Sequence, residues 1–165
     1  MALSKIQVTV LEELSNSPLK EKFYWTGGTL LAEKYLHHRD SYDVDLFTDD
    51  PFGYEEVLPL VASVKKTTNV KVVEEHKVFD RWEFFLHNHR EVRFEFVHYQ
   101  FPKLKPRKIW RGVLIDSLED LAANKIMASF ERHEPKDVFD LYFIMLRKKW
   151  KFSKLLQFAQ KKFGL

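Results

Sequence analysis

The chain has 165 residues, 45% of them apolar, 31% charged and 15% aromatic, with 15 Phe, which is the composition of one folded domain with a single core and not of a disordered chain. It contains no Cys, which excludes a disulfide framework, a zinc–thiolate site and a thiol nucleophile, and no apolar run approaches the roughly 18 residues of a membrane span. The net charge of +3 hides an asymmetry: residues 1–100 carry 12 Lys and Arg against 17 Asp and Glu, residues 101–165 carry 15 against 7, and seven basic residues with no acid follow from Arg147 onward.

The N-terminal stretch MALSKIQVTVLEEL has charges within its apolar positions and no small-residue cleavage site, so no signal peptide is expected and the expected location is the cytoplasm. Leu3, Ile6, Val10, Leu11 and Leu14 recur at helical spacing over 3–15, and Asn16 to Pro18 end that helix. KFYWT, residues 22–26, reads as a short aromatic strand, Gly27-Gly28 as a bend, and Thr29 to His37 as a helix. Residues 43–48 alternate polar and apolar, a strand; Asp50-Pro51 has the form of a helix N-cap and first position, opening a helix to about Val64.

Three β-rich runs follow, at Val70–Glu75, Val78–His87 and Val92–Tyr99, with Asn88 to Glu91 as a turn, and Ile109–Ile115 as one more strand. Ser117 to Asp120 resembles a capping box that opens a helix to about Arg132. Pro135 breaks the chain; Lys136–Lys148 and Phe152–Phe163 are helical, and Gly164 follows the last. Strands in the middle and helices at both ends predict an α+β, mixed α/β, fold with a mixed sheet.

Three features point to chemistry. Asp43 and Asp45 lie two apart on a strand, so both carboxylates share a face and could hold divalent cations that also grip phosphate. Gly27, Gly28 and Thr29 sit between a strand and a helix, where the backbone can approach a phosphate closely. Glu95 lies between Phe94 and Phe96, which face the core, while Arg93, Glu95 and Val97 share the other face. Its acid matters only if its strand lies beside that of Asp43 and Asp45. The bland alternatives are an exposed polar strand face, a tight turn and a cross-strand ion pair.

Together these features resemble the nucleotidyltransferase superfamily built on a polymerase-β-like palm. More narrowly, WTGGTLLAEKYLHHRDSYDVDLF is similar to the AbiEii/AbiGii toxin-type nucleotidyltransferases. Gly27, Gly28, Thr29, Leu31 and Ala32 match the family's opening motif, and His38, Arg39, Ser41, Asp43 and Asp45 match its acidic block. Lys125 matches a later Lys, and Lys136 to Leu141, with Asp137 and Asp140, the final helical motif. Gly28 stands where many superfamily members have Ser, and Glu95 where Asp is usual.

The resemblance implies one nucleotidyltransferase-like domain over residues 1–165, with a palm core over about 18–116 and a helical part over about 117–165. It implies transfer of an NMP from an NTP to a hydroxyl of RNA, such as a tRNA end, or of a protein, with release of pyrophosphate and possession of an antitoxin partner. Asp43, Asp45 and Glu95 would be catalytic and would hold Mg²⁺ or Mn²⁺, two ions. Gly27, Gly28, Thr29, Arg39, Ser41 and Lys125 would bind the nucleotide, with Asp137 and Asp140 in support.

The basic segment from Arg147, with Lys103, Lys105, Arg107 and Lys108, is expected to meet the phosphates of an RNA acceptor. Two other readings remain open at this point. Glu75-His76-Lys77 is an E-x-K on a strand downstream of Asp43, as in restriction-type metal-dependent nucleases, and it requires Lys77 to face Asp43. A non-catalytic member of the fold would keep only the basic face, for nucleic acid or a partner.

Overall fold

The structure is a computed structural model that describes residues 2–70, 72–87 and 89–165. Its elements are α1 (Lys5–Ser15), β1 (Phe23–Thr26), α2 (Gly27–Leu30), β2 (Val44–Thr48), α3 (Tyr54–Thr68), β3 (Val72–Val78), β4 (Arg81–His87), β5 (Glu91–His98), β6 (Lys108–Trp110), β7 (Val113–Ile115), α4 (Leu118–Glu131), α5 (Pro135–Lys148) and α6 (Phe152–Phe163). The described strands form one mixed sheet in the order β3-β4-β5-β2-β1-β7-β6. β2 runs parallel to β5 and β1 parallel to β7, and the other neighbours are antiparallel. The expected mixed α/β architecture is thus the observed one.

The sheet's two faces follow from the period-two alternation of its strands. One face carries Trp25, Leu46, Phe84, Phe94 and Phe96, all fully buried in a core shared with Val10 and Leu14 of α1 and Val57 and Val64 of α3. Phe23 meets Phe52 and Phe96 edge-on at 5.2 and 5.1 Å between ring centres. The other face carries Thr26, Asp45, Glu83, Arg93 and Glu95, and α4 lies over it. α1 begins at a reciprocal cap: Ser4 Oγ accepts from the Gln7 N–H while Gln7 Oε1 accepts from the Ser4 N–H. Gln7, itself buried, then donates through Nε2 to the Ser41 carbonyl at 3.0 Å, which fixes the loop leading into β2.

Several boundaries differ from those the sequence suggests. The helix expected from Asp50-Pro51 starts at Tyr54 after Gly53, because Thr48 Oγ1 accepts from the Asp50 N–H and the lead-in must place Phe52 on the core. The helix expected over Thr29–His37 begins two residues earlier, at Gly27, and widens into a π-helical turn over Leu31–Leu36, ended by His37 in the left-handed region. The run Val78–His87 is not one strand: Phe79 and Asp80 form a two-residue hairpin loop between β3 and β4. Ile109–Ile115 likewise folds back on itself, with Arg111 and Gly112 both at positive φ, the demand of a tight hairpin turn. Asn88, the first residue of the expected turn after β4, lies outside the described residues.

The capping box expected at Ser117 is only half made. Ser117 Oγ accepts from the Asp120 N–H, but the Asp120 carboxylate is a buried hub instead of a return cap. It accepts from the Leu104 and Lys105 N–H groups, from Ser117 Oγ and, at 2.8 Å, from Lys162 Nζ. Lys162, expected to serve the basic surface, is therefore a core residue with a side chain 1% exposed. Arg107 is also withdrawn from that surface: it forks onto Asp49, donates to Asp116 and lies over the Tyr24 ring. Removing one member of a buried ion pair leaves the other without its countercharge. Lys162→Met is therefore expected to lower unfolding stability by roughly 3–5 kcal/mol, against less than about 0.5 kcal/mol for the exposed neighbour Lys161→Met, as read from urea-unfolding midpoints.

Candidate active site

A cavity of about 290 Å³ opens between the polar face of the sheet and α4. Its floor is built by strand register. β2 and β5 pair in parallel with Asp45 opposite Glu95, so the two acids stand side by side on one face. Asp43 immediately precedes β2, and Arg93, two residues before Glu95, shares the face. Thr26, opposite Asp45 on β1, ends the strand at the Gly27 bend.

Gly27 has φ of +83°, and a Cβ there would lie 1.9 Å from Asp45 Oδ2. Both the conformation and the space require glycine, and the absent side chain lets the carboxylate lie against the backbone. Gly28 faces a second group: a Cβ there would lie 2.7 Å from Arg39 Nη2 and 3.6 Å from Lys125 Nζ. Thr29, grouped with the glycines from sequence, does not line the cavity. It is buried and donates to Ser41 Oγ at 2.8 Å, and Ser41 does line it.

Asp43, Asp45 and Glu95 come together, as the strand argument requires. They converge on the Arg93 guanidinium, whose Nη2 is 3.1 Å from Asp43 and 3.5 Å from Asp45, and whose Nη1 is 3.1 Å from Glu95 and 3.2 Å from Glu83. Arg93 and Glu83 are the residues that the motif reading leaves without a role, although Arg93's place on the face of Glu95 is legible from its spacing. Burial, the Asp45 charge and a hydrogen bond with Asp45 push the Glu95 carboxyl up to about 8 against the pull of Arg93. Burial also raises Asp45. The two neighbouring acids thus favour holding one proton between them.

Among the described residues, no three His, Cys, Asp or Glu side chains are grouped to hold a metal ion as they stand. The donor set nonetheless fits one: three carboxylates are the hard oxygen ligands that a small divalent cation takes, and they already surround a cation, the Arg93 guanidinium.

A second charged layer lies behind the cavity wall. Asp140 is fully buried on α5 and accepts a fork from Arg39, at 2.7 and 2.8 Å, together with bonds from His38 Nε2 at 2.6 Å and Lys125 at 2.8 Å. Burial by itself would raise its carboxyl, but these donors hold it well below the usual carboxylate range. Asp137 likewise sits between Lys125 at 2.7 Å and Arg132 at 2.9 Å. Neither acid lines the cavity; both fix cations that do, Arg39, Lys125 and Arg132. Glu75 and Lys77, by contrast, lie on β3 at the sheet's edge, with β4 and β5 between them and β2. Glu75 accepts from Tyr54 and Lys77 lies over Trp82, so Lys77 does not face Asp43 and the nuclease reading fails on geometry.

Known proteins resemble the chain in sequence and in fold. Residues 9–158 match the family model described as nucleotidyl transferase AbiEii toxin, type IV toxin-antitoxin system. The chain is 31% identical over 164 residues to the uncharacterized protein aq_aa25 of Aquifex aeolicus, covering 98% of this chain and 76% of that one. In structure it is similar to JHP933 of Helicobacter pylori, with a TM-score of 0.69 at 18% identity, over 97% of this chain and 75% of that one. It is also similar to MenT4, a nucleotidyltransferase toxin of Mycobacterium tuberculosis, with a TM-score of 0.58 at 15% identity, over 93% and 60% of the two chains. The chain belongs to the AbiEii nucleotidyltransferase toxin family.

The proton held by the Asp45–Glu95 pair has a consequence for stability. Burial and the Asp45 charge push the Glu95 carboxyl up from its ordinary value to about 8, so between those values the folded pair binds more protons than the unfolded chain and stability falls as pH rises. Denaturant unfolding of the metal-free chain from pH 5 to 8 is expected to show this decline, and Glu95→Gln is expected to flatten it.

Proposed function

We propose that the chain is a divalent-metal-dependent nucleotidyltransferase that moves an NMP from an NTP to an acceptor hydroxyl, RNA in the first instance, with release of pyrophosphate. The observation that carries this reading is the convergence of Asp43, Asp45 and Glu95 beside the Gly27 bend. A module that only binds nucleic acid has no use for three like charges in a crevice.

Mg²⁺ or Mn²⁺, two ions held by Asp43, Asp45 and Glu95, would supply the charge that stabilises the attacking and leaving oxygens. The rest falls to the chain's own groups. The backbone at Gly27 and Gly28 approaches the triphosphate without side chains in the way, and Ser41 Oγ offers a hydroxyl beside it. Lys125 and Arg39 face the same space and meet the β- and γ-phosphates, held in position by Asp137 and Asp140. Arg39 adds a planar fork and Lys125 a point charge, so the two are not interchangeable. The acceptor oxygen attacks the α-phosphorus, the bond to the bridging oxygen breaks, and pyrophosphate leaves with the negative charge. Glu95, in its ionised form, is placed to take the acceptor's proton.

For the acceptor, Asp120 supports the reading by bringing two basic segments together. It ties the backbone of residues 104–105 to α6, so that exposed Lys103 and Lys105 share an end of the molecule with Lys161. Arg147, Lys148, Lys149, Lys151 and Lys154 are exposed as well, which leaves six of the seven basic residues of the last segment for a polyanion. The family's toxin-antitoxin setting makes an antitoxin protein the expected partner.

Incubation of the chain with each α-phosphate-labelled NTP, Mg²⁺ and total RNA is expected to label RNA. Label on protein would reassign the acceptor, and no label with any NTP would overturn the reading. Asp45→Asn is expected to reduce transfer by about a hundredfold or more without lowering the thermal midpoint, because it relieves crowding among buried acids.

RNA binding is expected to weaken with salt at a log–log slope of about −0.7 per phosphate contact. Reversal of Lys148, Lys149 and Lys151 to Glu is expected to weaken RNA binding and leave NTP binding unchanged. A filter-binding titration across salt concentrations checks both.

A further inference from the structure

Arg93 stands where the three acids converge, and its geometry is that of a shared countercharge. Its two terminal nitrogens serve four carboxylates, those of Asp43, Asp45, Glu83 and Glu95, at 3.1 to 3.5 Å. Charge-assisted bonds that dock a guanidinium on one carboxylate run about 2.7–2.9 Å. Arg93 is thus docked on none of the four. Glu83 and Glu95 are opposite each other on β4 and β5, a placement that repels unless a cation bridges it. Arg81 also reaches Glu95, at 3.5 Å, but its side chain is 43% exposed and it touches none of the other three acids. Arg93, at 22%, lines the cavity and touches all four.

A small divalent cation needs oxygens at about 2.0–2.1 Å. Acids spread around a guanidinium cannot meet that distance, which accounts for the lack of a ready metal group among the described residues. We propose that Arg93 is a positioning residue: a tethered cation that keeps Asp43, Asp45 and Glu95 assembled without metal, competes with the divalent ion for them, and so sets the metal concentration at which the site loads. Glu83 is within Arg93's reach but outside the acid trio, and holds the guanidinium when it gives way. The proposal rests on the reading of the three acids as metal ligands.

The test is Mn²⁺ binding to the full chain without nucleotide, followed by the paramagnetic resonance signal of free Mn²⁺. Arg93→Gln is expected to bind Mn²⁺ about tenfold more tightly than the unaltered chain, since a competing unit charge is gone. Arg93→Lys is expected to bind about threefold more tightly, because one compact charge cannot span both pairs of acids. The metal-free thermal midpoint of Arg93→Gln is expected to fall, and saturating Mn²⁺ to raise it by more than in the unaltered chain. Arg93→Lys keeps a charge in the cluster and carries the test if the Gln variant does not fold.

An Arg with a merely structural role would lower stability with and without metal alike and would not tighten binding. Mn²⁺ affinity unchanged or weaker in the variants, with the unaltered chain still binding and Asp45→Asn abolishing it, would overturn this proposal alone. Binding by none of these chains would overturn the metal-site reading and this inference together.

Discussion

The parallel pairing of β2 with β5 concentrates charge at one point of the sheet, and the rest of the crevice answers to that concentration. Register places Asp45 against Glu95, and the start of β2 brings Asp43 to the same face. Three carboxylates at the edge of a closed core repel each other and lose water, and the protein meets both costs locally. Asp45 and Glu95 favour sharing a proton, and Arg93 spreads one positive charge over the remainder. The Gly27 bend answers a steric demand of the same site, since no other residue leaves Asp45 room at that φ.

The cationic side of the cavity is built on the opposite logic. Lys125, on α4, carries its charge where only 8% of its side chain is exposed, a costly place for an ammonium alone. Asp137 and Asp140, one turn apart on α5, both reach it, and Asp140 also takes the Arg39 fork and the His38 bond. The α4–α5 contact is thereby an ionic clamp. It fixes two cavity-lining cations relative to the Gly27–Gly28 backbone. His38 owes its place between Asp140 and the rings of Phe139 and Phe143 to this clamp as well.

What was legible in the sequence follows from how local each cause is. Alternation in DVDLF and VRFEFV gave the strands and their faces because period two is a property of the strand itself. The last two helices, Pro135–Lys148 and Phe152–Phe163, were legible because Pro, apolar spacing and a terminal Gly mark their limits. The Ile109–Ile115 hairpin was missed although Arg111-Gly112 has turn chemistry, since three-residue strands give too few alternations to show a reversal. Lys162 and Arg107 read as surface charge because their partners, Asp120 and the Asp49–Asp116 pair, are 42, 58 and 9 residues away. No charge count over a window can separate a buried lysine from its exposed neighbour Lys161. Arg93 was visible on the right face, but its four partners span three elements and the loop before β2.

Lys162 also explains how the two halves of the proposed reaction share one scaffold. α4 is capped by Ser117, has Asp120 in its first turn and carries Lys125 about one and a half turns later. At its start, Asp120 gathers the 104–105 backbone and α6, the segments that bear exposed lysines. Along its length, α4 presents Asn124, Lys125 and Ala128 to the cavity. Phe101 packs edge-on against Phe163 at 4.8 Å, and Tyr99 against Phe101 at 5.0 Å, so an aromatic chain links the same two regions. Tyr99 lines the cavity and bonds Asn124 at 3.4 Å. The segments that bear Lys103, Lys105 and Lys161 and the wall of the crevice are therefore tied to the same helix, the first through Asp120 and the second through Asn124, Lys125 and Ala128. On the proposed reading, a phosphate backbone held at Lys103, Lys105 and Lys161 would have its approach to the crevice set by the length of α4 and not by a flexible connection.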